Sequence, residues 1–228
     1  MKILTPAKIN PLLYILGKRK DGFHELYMHM VPVSLFDKLS FSNNNKKGLI
    51  FHVKGATFSE PQEDNLVVRA VRLFEEVAGV TADLDINLEK HIPSCAGLGG
   101  GSGNAAGTLR ALNNIFRLSS TSPGLLPPET LFELALELGS DVPFFLEPSP
   151  CEIRGRGEKL IPLMEYPEFL LVIIKPALSI PTPDAYLNCL PEERTSFPEV
   201  KSFADLKSHL NNQFETSLLS QYPLLSEL

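Results

Sequence analysis

The spacing of apolar and polar residues changes character several times along the chain. Leu12-Leu13-Tyr14-Ile15-Leu16 is a short apolar run closed by Gly17, and the stretch from Leu26 to Phe41 alternates without a helical period. That pattern predicts two or three strands. Asn43 to Gly48 has the composition of a turn, and Leu49, Phe51 and Val53 alternate as a further strand. At Asp64 the period switches. Leu66, Val67, Ala70, Val71, Phe74 and Val77 lie three and four apart and Gly79 follows them, which predicts a helix beginning at Asp64. Leu84, Ile86 and Leu88 return to a period of two. A glycine-rich segment at 97–103 then runs into Ala105, Ala106, Leu109, Leu112 and Ile115, spaced as a helix. Pro127-Pro128-Glu129 opens another helix that extends through Leu138, with proline in its favoured first turn.

Composition shifts at Pro148-Ser149-Pro150, which divides the chain into expected domains at 1–150 and 151–228. Beyond it, the unbroken apolar run Phe169 to Ile174 predicts a buried strand. Pro181 and Pro183 bracket a loop, and two helices are expected near Phe203 to Leu210 and Asn211 to Ser220. Strands and helices follow one another irregularly, without repeats, which argues for an α+β fold and against repeated βαβ units.

The 228 residues are 43% hydrophobic and 21% charged, ordinary globular usage, so whole-chain disorder is excluded. A chain of this size buries roughly 70% of its unfolded surface and needs no covalent staple. Lys and Arg total 21 against 27 acids, a net charge of -6. Nucleic acid is therefore not expected as a partner, because phosphate-backbone binding needs a basic surface. Cys95, Cys151 and Cys189 are odd in number and lack CxxC spacing, which fits a reducing compartment. Pro6, Lys8, Asn10 and Pro11 interrupt the N-terminal apolar run, so no signal-peptide core forms. No run approaches the roughly 20 apolar residues of a membrane helix. A cytoplasmic protein without a membrane partner is expected.

The strongest chemical signal is Pro93-Ser94-Cys95-Ala96-Gly97-Leu98-Gly99-Gly100-Gly101-Ser102-Gly103, read directly into a helix. Glycines let backbone N–H groups turn inward without a Cβ clash. The helix N-terminus adds partial positive charge, and the two together suit a phosphate. The P-loop pattern fails for want of its lysine. Gly101, Gly103 and Ala106 satisfy a relaxed dinucleotide pattern, but no buried strand precedes them, which weighs against a nicotinamide dehydrogenase. Two further segments carry polar groups in apolar surroundings: Lys8 and Asn10 in Pro6-Ala7-Lys8-Ile9-Asn10, and Asp141 in Ser140-Asp141-Val142-Pro143-Phe144-Phe145. Taken singly, Asp141 could cap a turn and Lys8 could be a solvated strand residue.

Together these segments resemble the GHMP kinase superfamily. With Gly22-Phe23-His24-Glu25-Leu26, Gly155-Arg156-Gly157-Glu158, Pro181-Thr182-Pro183 and Asn211-Asn212-Gln213-Phe214-Glu215, the chain is similar over its whole length to the 4-diphosphocytidyl-2-C-methyl-D-erythritol kinase branch. The resemblance implies ATP- and Mg2+-dependent phosphorylation of that small molecule's 2-hydroxyl, a step of the non-mevalonate (MEP) route to isoprenoid precursors. It implies an N-terminal domain like the second domain of ribosomal protein S5, with a left-handed crossover, and a ferredoxin-like C-terminal domain, in a monomer or weak homodimer. It assigns Asp141 as general base and Lys8 as its catalytic partner. Residues 93–103 become the cradle of the ATP phosphates, with Ser102 near magnesium. Asn10 and His24 become polar contacts to substrate, Phe23 and Tyr186 the aromatics that sandwich cytosine, and Thr182 a neighbour of that pocket. The magnesium ligands stay open.

Three features depart from the family's pattern. Ser102-Gly103-Asn104 stands where Ser-Ser-Asp is usual, which bears on the metal and γ-phosphate contacts. Phe23 stands for a tyrosine, losing a hydroxyl. No third glycine-rich motif follows, so the second domain is expected to be incomplete. Two alternatives remain at this level: a superfamily kinase for another small alcohol such as mevalonate, homoserine or a sugar, and a catalytically silent nucleotide-binding homologue.

Overall fold

A computed structural model describes residues 1–55, 61–118, 126–178, 180, 185–186 and 189–227, apart from the side chain of Thr216. The chain divides into two compact units. The first comprises Met1–Ala7, Val33–Ser94 and Leu98–Pro148; the second comprises Lys8–Pro32, Cys95–Gly97 and Ser149–Leu228. The division is thus discontinuous in sequence.

In the first unit the strand order is β3–β4–β2–β1. Strand β1 (Lys2–Lys18) and strand β2 (His24–Asn43) enter it with their outer ends. Strand β3 (Ile50–Lys54) pairs parallel with β4 (Leu84–Glu89), and β4 pairs antiparallel with Lys38 to Asn43 of β2. Helix α1 (Leu66–Ala78) joins β3 to β4. Asn65 caps it by accepting the Val67 N–H at 2.9 Å, and Gly79 stops it at φ 64°. Side-chain capping satisfies one of the N–H groups that a first turn leaves unpaired. The stripe Val67, Val68, Ala70, Val71 and Phe74 is buried, and α1 packs on α2 (Gly100–Leu118), where the Phe74 and Phe116 rings stack at 5.8 Å. Helix α3 (Pro128–Leu138) packs on both. Each large apolar side chain so buried contributes roughly 1.5–3 kcal/mol.

In the second unit the order is β6–β5–β2–β1–β7. Strand β5 (Cys151–Gly155) pairs antiparallel with Leu26 to Met30 of β2 and with β6 (Lys159–Pro162). The short β7 (Asn211–Asn212) pairs parallel with Leu12 and Leu13. Helix α4 (Phe203–His209) opens on a capping box between Ser202 and Asp205, and α5 (Gln213–Gln221) opens on Asn212. Leu12, Tyr14, Tyr27, Val200 and Leu206 form the core of this unit, with Tyr27 stacked on Phe197.

Three expectations are corrected. The Leu26 to Phe41 stretch is one strand, not two or three. It changes partner without turning, from β5 up to Met30 to β4 from Lys38, and Pro32 falls between the two ladders. Strands β5 and β6 are additions to the elements expected from the apolar pattern. The run Phe169 to Ile174 is neither strand nor buried: Phe169 packs against the core cluster, but Leu170, Val172 and Ile174 are exposed. Strand preference is a preference for a covered, paired surface, and among the described residues no strand lies between Pro162 and Asn211 to supply it. The loop at Pro181 and Pro183 lies outside the described residues, as does Thr182.

Candidate active site

The glycine segment forms a backbone of alternating hand. Cys95, Gly97 and Gly99 have φ of 52°, 68° and 69°, whereas Ala96 and Leu98 between them are not in the positive-φ region. Such alternation turns successive N–H groups toward one side and makes a concavity for an anion. Leu98 is buried and anchors the loop, while Ser94, Cys95 and Gly97 are exposed. The first intrahelical bond of α2 runs from Gly103 N–H to Gly99 O at 2.8 Å. The N–H groups of Gly100, Gly101 and Ser102 therefore have no preceding turn to donate into. This is the geometry in which a helix N-terminus accepts a phosphate.

The glycines divide by cause. Those at 97 and 99 supply the left-handed backbone. Gly103 and Gly107 let α2 approach β1: a Cβ would lie 3.2 Å from Pro6 O at the first and 2.5 Å from Thr5 Cγ2 at the second. At Gly101 the nearest atom would be Leu66 Cδ1 at 3.5 Å, an ordinary contact.

At the two stems of the loop lies a buried polar network that the apolar pattern and the motifs do not reveal. Asp37 on β2 is fully buried, and its carboxylate accepts four hydrogen bonds. Oδ1 receives His91 N–H at 2.7 Å and Ile92 N–H at 2.8 Å; Oδ2 receives Lys90 Nζ and Asn104 Nδ2, the latter at 3.0 Å. Thr5 Oγ1 donates to Asn104 Oδ1 at 2.7 Å, which fixes the amide's orientation. Asn104 is thus a core residue facing Asp37 and Thr5. Its departure from the aspartate of the family's pattern therefore falls within this network. A signal was available. Asp37 is in phase with the buried Leu39 and Phe41, and Lys90 with the buried Leu84, Ile86 and Leu88. Opposite charges on two inward-facing rows must meet partners. They sit one step beyond the Lys38↔Glu89 pair of the β2–β4 ladder.

Lys8 lies on β1 with only 7% of its surface exposed. Its Nζ donates to Asn10 Oδ1 at 2.7 Å, and Asn10 Nδ2 donates to His29 O at 3.2 Å. Asp141, half-buried, lies in the turn between α3 and the 3-10 turn Pro143–Leu146, whose Pro143, Phe144 and Phe145 are buried. The Val142 N–H donates to Gly139 O at 3.1 Å and tightens that turn. Lys8 and Asp141 belong to different units.

The β1–β2 turn presents Phe23 and His24. Asp21 Oδ1 accepts Phe23 N–H at 3.2 Å, and Arg19 N–H donates to Phe23 O at 2.8 Å. The His24 imidazole stacks on Tyr186 at 4.8 Å and 14°, and Phe214 meets Tyr186 edge-on. Arg156 lies 4.7 Å over the Phe23 ring. Burial, then the neighbouring Lys18 charge, lowers the His24 pKa, so the ring is neutral near pH 7. The chain thus brings Phe23, His24 and Tyr186 into one unit, as the stacked pair His24–Tyr186 and the cation–π pair Arg156–Phe23. The Asn211 to Glu215 segment ties β7 and α5 to β1. Asn211 Nδ2 donates to Leu13 O, and Gln213 Oε1 accepts Ile15 N–H. Among the described residues no three His, Cys, Asp or Glu side chains group as a metal cage, and no helix is long and apolar enough to cross a membrane.

Residues 65–147 match the family of GHMP kinases N terminal domains. The 4-diphosphocytidyl-2-C-methyl-D-erythritol kinase of Syntrophus aciditrophicus is 38% identical over 233 residues, covering 100% of this chain and 81% of its own length. The chain belongs to the 4-diphosphocytidyl-2-C-methyl-D-erythritol kinase family. The Heliobacterium modesticaldum kinase of that name is 41% identical over 186 residues; the match covers 82% of this chain but only 57% of that protein. A crystal structure of 4-(cytidine 5'-diphospho)-2C-methyl-D-erythritol kinase aligns over 100% of this chain and 80% of its own, with 35% identity and a TM-score of 0.77. The fold is the α+β GHMP kinase fold that the glycine loop and its companion segments predict.

Proposed function

We propose that this chain transfers the γ-phosphoryl group of ATP to the 2-hydroxyl of 4-diphosphocytidyl-2-C-methyl-D-erythritol, in the non-mevalonate route to isoprenoid precursors. The observation that carries the reading is the loop of alternating hand opening onto the N-terminus of α2, in a chain whose relatives bear that name. ATP supplies the phosphoryl group. The residues fit it: within Pro93 to Gly103, the residues Ser94 to Ser102 carry backbone N–H groups for its phosphates, Pro93 having none and Gly103 donating to Gly99 O. Mg2+ fits as a companion of the phosphates, since magnesium is commonly held by one or two protein groups plus substrate oxygens; Ser102 is the residue we assign beside it.

In this reading Asp141 accepts the proton of the attacking hydroxyl, and Lys8 supplies positive charge to the transition state. Asn10 holds the Lys8 ammonium by its side-chain oxygen and takes the substrate-contact role. His24, as a neutral imidazole, offers hydrogen bonds to the cytosine edge, and Tyr186 and Phe23 offer aromatic faces to its ring. Thr182 is assigned to the same pocket by resemblance alone. We place the chain in the cytoplasm, as a monomer or weak homodimer, and treat 1–150 and 151–228 as its two domains.

The test is magnesium-dependent ADP release by the purified chain, with the cytidyl alcohol, mevalonate and homoserine compared as acceptors. Turnover with the cytidyl alcohol alone, lost by a factor of about 10³ or more in Asp141→Asn, is the expected result. Turnover with another acceptor reassigns the substrate. MgATP binding without turnover by a folded chain identifies a silent homologue.

A further inference from the structure

Eleven residues, 93–103, separate Ile92 from Asn104, and one carboxylate holds both sides of that gap. Asp37 Oδ1 takes the N–H groups of His91 and Ile92, on the strand side of the loop; Oδ2 takes Asn104 Nδ2, on the helix side. Lys90 Nζ completes the Oδ2 shell, and it stands 2.9 Å from where a Cβ of Gly100 would be, at the first residue of α2. Asp37 contributes nothing to solvent, being 0% exposed, and Lys90 is 7% exposed. A buried charge pair of this kind is weak as a source of stability, and its best-attested use is to fix register. Here the register it fixes is the separation of the two stems of the loop.

We propose that Asp37 is a positioning residue for nucleotide: it clasps the two stems, and so sets the affinity of the glycine loop for the phosphates of ATP. The inference rests on the kinase reading above and extends it to a residue that touches neither nucleotide nor acceptor. The two carboxylate oxygens have separable duties. Asp37→Asn keeps an oxygen for the His91 and Ile92 N–H groups but turns an N–H donor onto the donors of Lys90 and Asn104. It releases the helix stem while leaving the strand stem held. Asp37→Asn combined with Asn104→Asp restores the pairing with the charge exchanged. The new amide at position 37 then donates to the new carboxylate at position 104. That carboxylate still accepts from Thr5, while the Lys90 ammonium, which donates to Asp37 Oδ2 in the wild type, still faces the new amide N–H, so the exchange restores the helix-stem bond alone.

The experiment measures the MgATP dissociation constant by calorimetry and the two KM values for wild type, the single variant and the exchanged pair. We expect Asp37→Asn to weaken MgATP about tenfold or more, with the KM of the cytidyl alcohol within about twofold of wild type. The exchanged pair should recover part of the loss, the part that belongs to the helix stem, a non-additivity that independent sites do not give. If Asp37→Asn fails to fold, Thr5→Val serves instead: it frees the Asn104 amide while keeping every charge, and should weaken MgATP about threefold. Unchanged MgATP affinity in a folded variant overturns the proposal. So do equal losses in both KM values, or an exchanged pair no better than the single variant. Wild type that binds no MgATP overturns the kinase reading itself, and is recognised before any variant is compared.

Discussion

Lys8 Nζ and Asn10 Oδ1 are 2.7 Å apart on one strand, two residues along β1. Residues i and i+2 of a strand share a face, so the amide can hold the ammonium without a turn. The amide is itself oriented, because its Nδ2 donates to His29 O. Asn10→Ala should therefore lower kcat about 10- to 100-fold through a misplaced lysine, with the KM for ATP little changed. Steady-state kinetics check this. A change confined to the KM of the acceptor would mean that Asn10 contacts substrate but does not position Lys8.

The Tyr186 ring is stacked with His24 and edged by Phe214, and the proposed function assigns it to the cytosine ring. Base–aromatic stacking is worth about 1–3 kcal/mol, so Tyr186→Leu should raise the KM of the cytidyl alcohol roughly 5- to 150-fold. The MgATP affinity should stay as it was. Burial, with the Lys18 charge, lowers the His24 pKa from the ordinary imidazole value, so any titration of this ring in the acceptor KM should be centred below about pH 6.5. An acceptor KM that improves on acidification would indicate contact through an imidazolium instead.

His29 gives the chain an acid-labile point. It is 2% exposed, between Tyr27 OH at 3.2 Å and Tyr166 OH at 3.4 Å. Burial pushes its pKa down to about 4, against a weaker opposing pull from Glu152, and the same burial raises Tyr166 to about 12 and Tyr27 still further. Between pH 6.5 and about 4 the unfolded chain binds a proton that the folded chain refuses. Stability therefore rises with pH through that window, and about 3 kcal/mol is lost on going down through it. Denaturant titrations at stepped pH should show the slope, and His29→Phe should remove it. The same variant should cost about 1–3 kcal/mol at neutral pH by removing the His29 partner of the Tyr166 hydroxyl.

The glycines of α2 should separate by thermal or denaturant unfolding. Gly107→Ala drives a methyl into Thr5 and Leu39 and should cost about 1–3 kcal/mol. Gly101→Ala meets only Leu66 at contact distance and replaces a poor helix former, so it should be neutral or stabilising by up to about 1 kcal/mol. A destabilised Gly101→Ala, or an unaffected Gly107→Ala, would overturn this division.

The sequence was most legible where one physical rule acts alone. Helix α1 follows from an apolar stripe stopped by Gly79, although it opens at Leu66 on the Asn65 cap and not at Asp64, which closes a separate 3-10 turn; β4 follows from simple alternation. It was least legible where neighbours decide. Phe169 to Ile174 has the composition of a buried strand, but among the described residues no strand lies beside it. Strand β5 alternates buried Cys151, Ile153 and Gly155 with Glu152 and Arg154, a pattern obscured by flanking proline and glycine. At the site, the loop was conspicuous by composition. The Asp37 network was hidden because its members, Thr5, Asp37, Lys90 and Asn104, are scattered along the chain and meet only through strand register. The clustered glycines likewise read as one feature, although backbone hand requires some and helix packing others.

The discontinuous second unit sets a timetable for synthesis. Met30 pairs with Cys151, so the early hairpin waits for a partner strand about 120 residues downstream. At ribosomal rates of ~5–20 residues per second, that wait is on the order of ten seconds. A hairpin formed during that wait would present Leu26 to Met30 as an unpaired edge of the kind that recruits other chains. Residues 33–94 and 98–148 are completed within the interval. The late-made strands β5 and β6 then close an edge that was among the first to leave the ribosome. Yield on rapid overexpression should therefore depend on elongation rate and on chaperone supply more than on the stability of the finished fold.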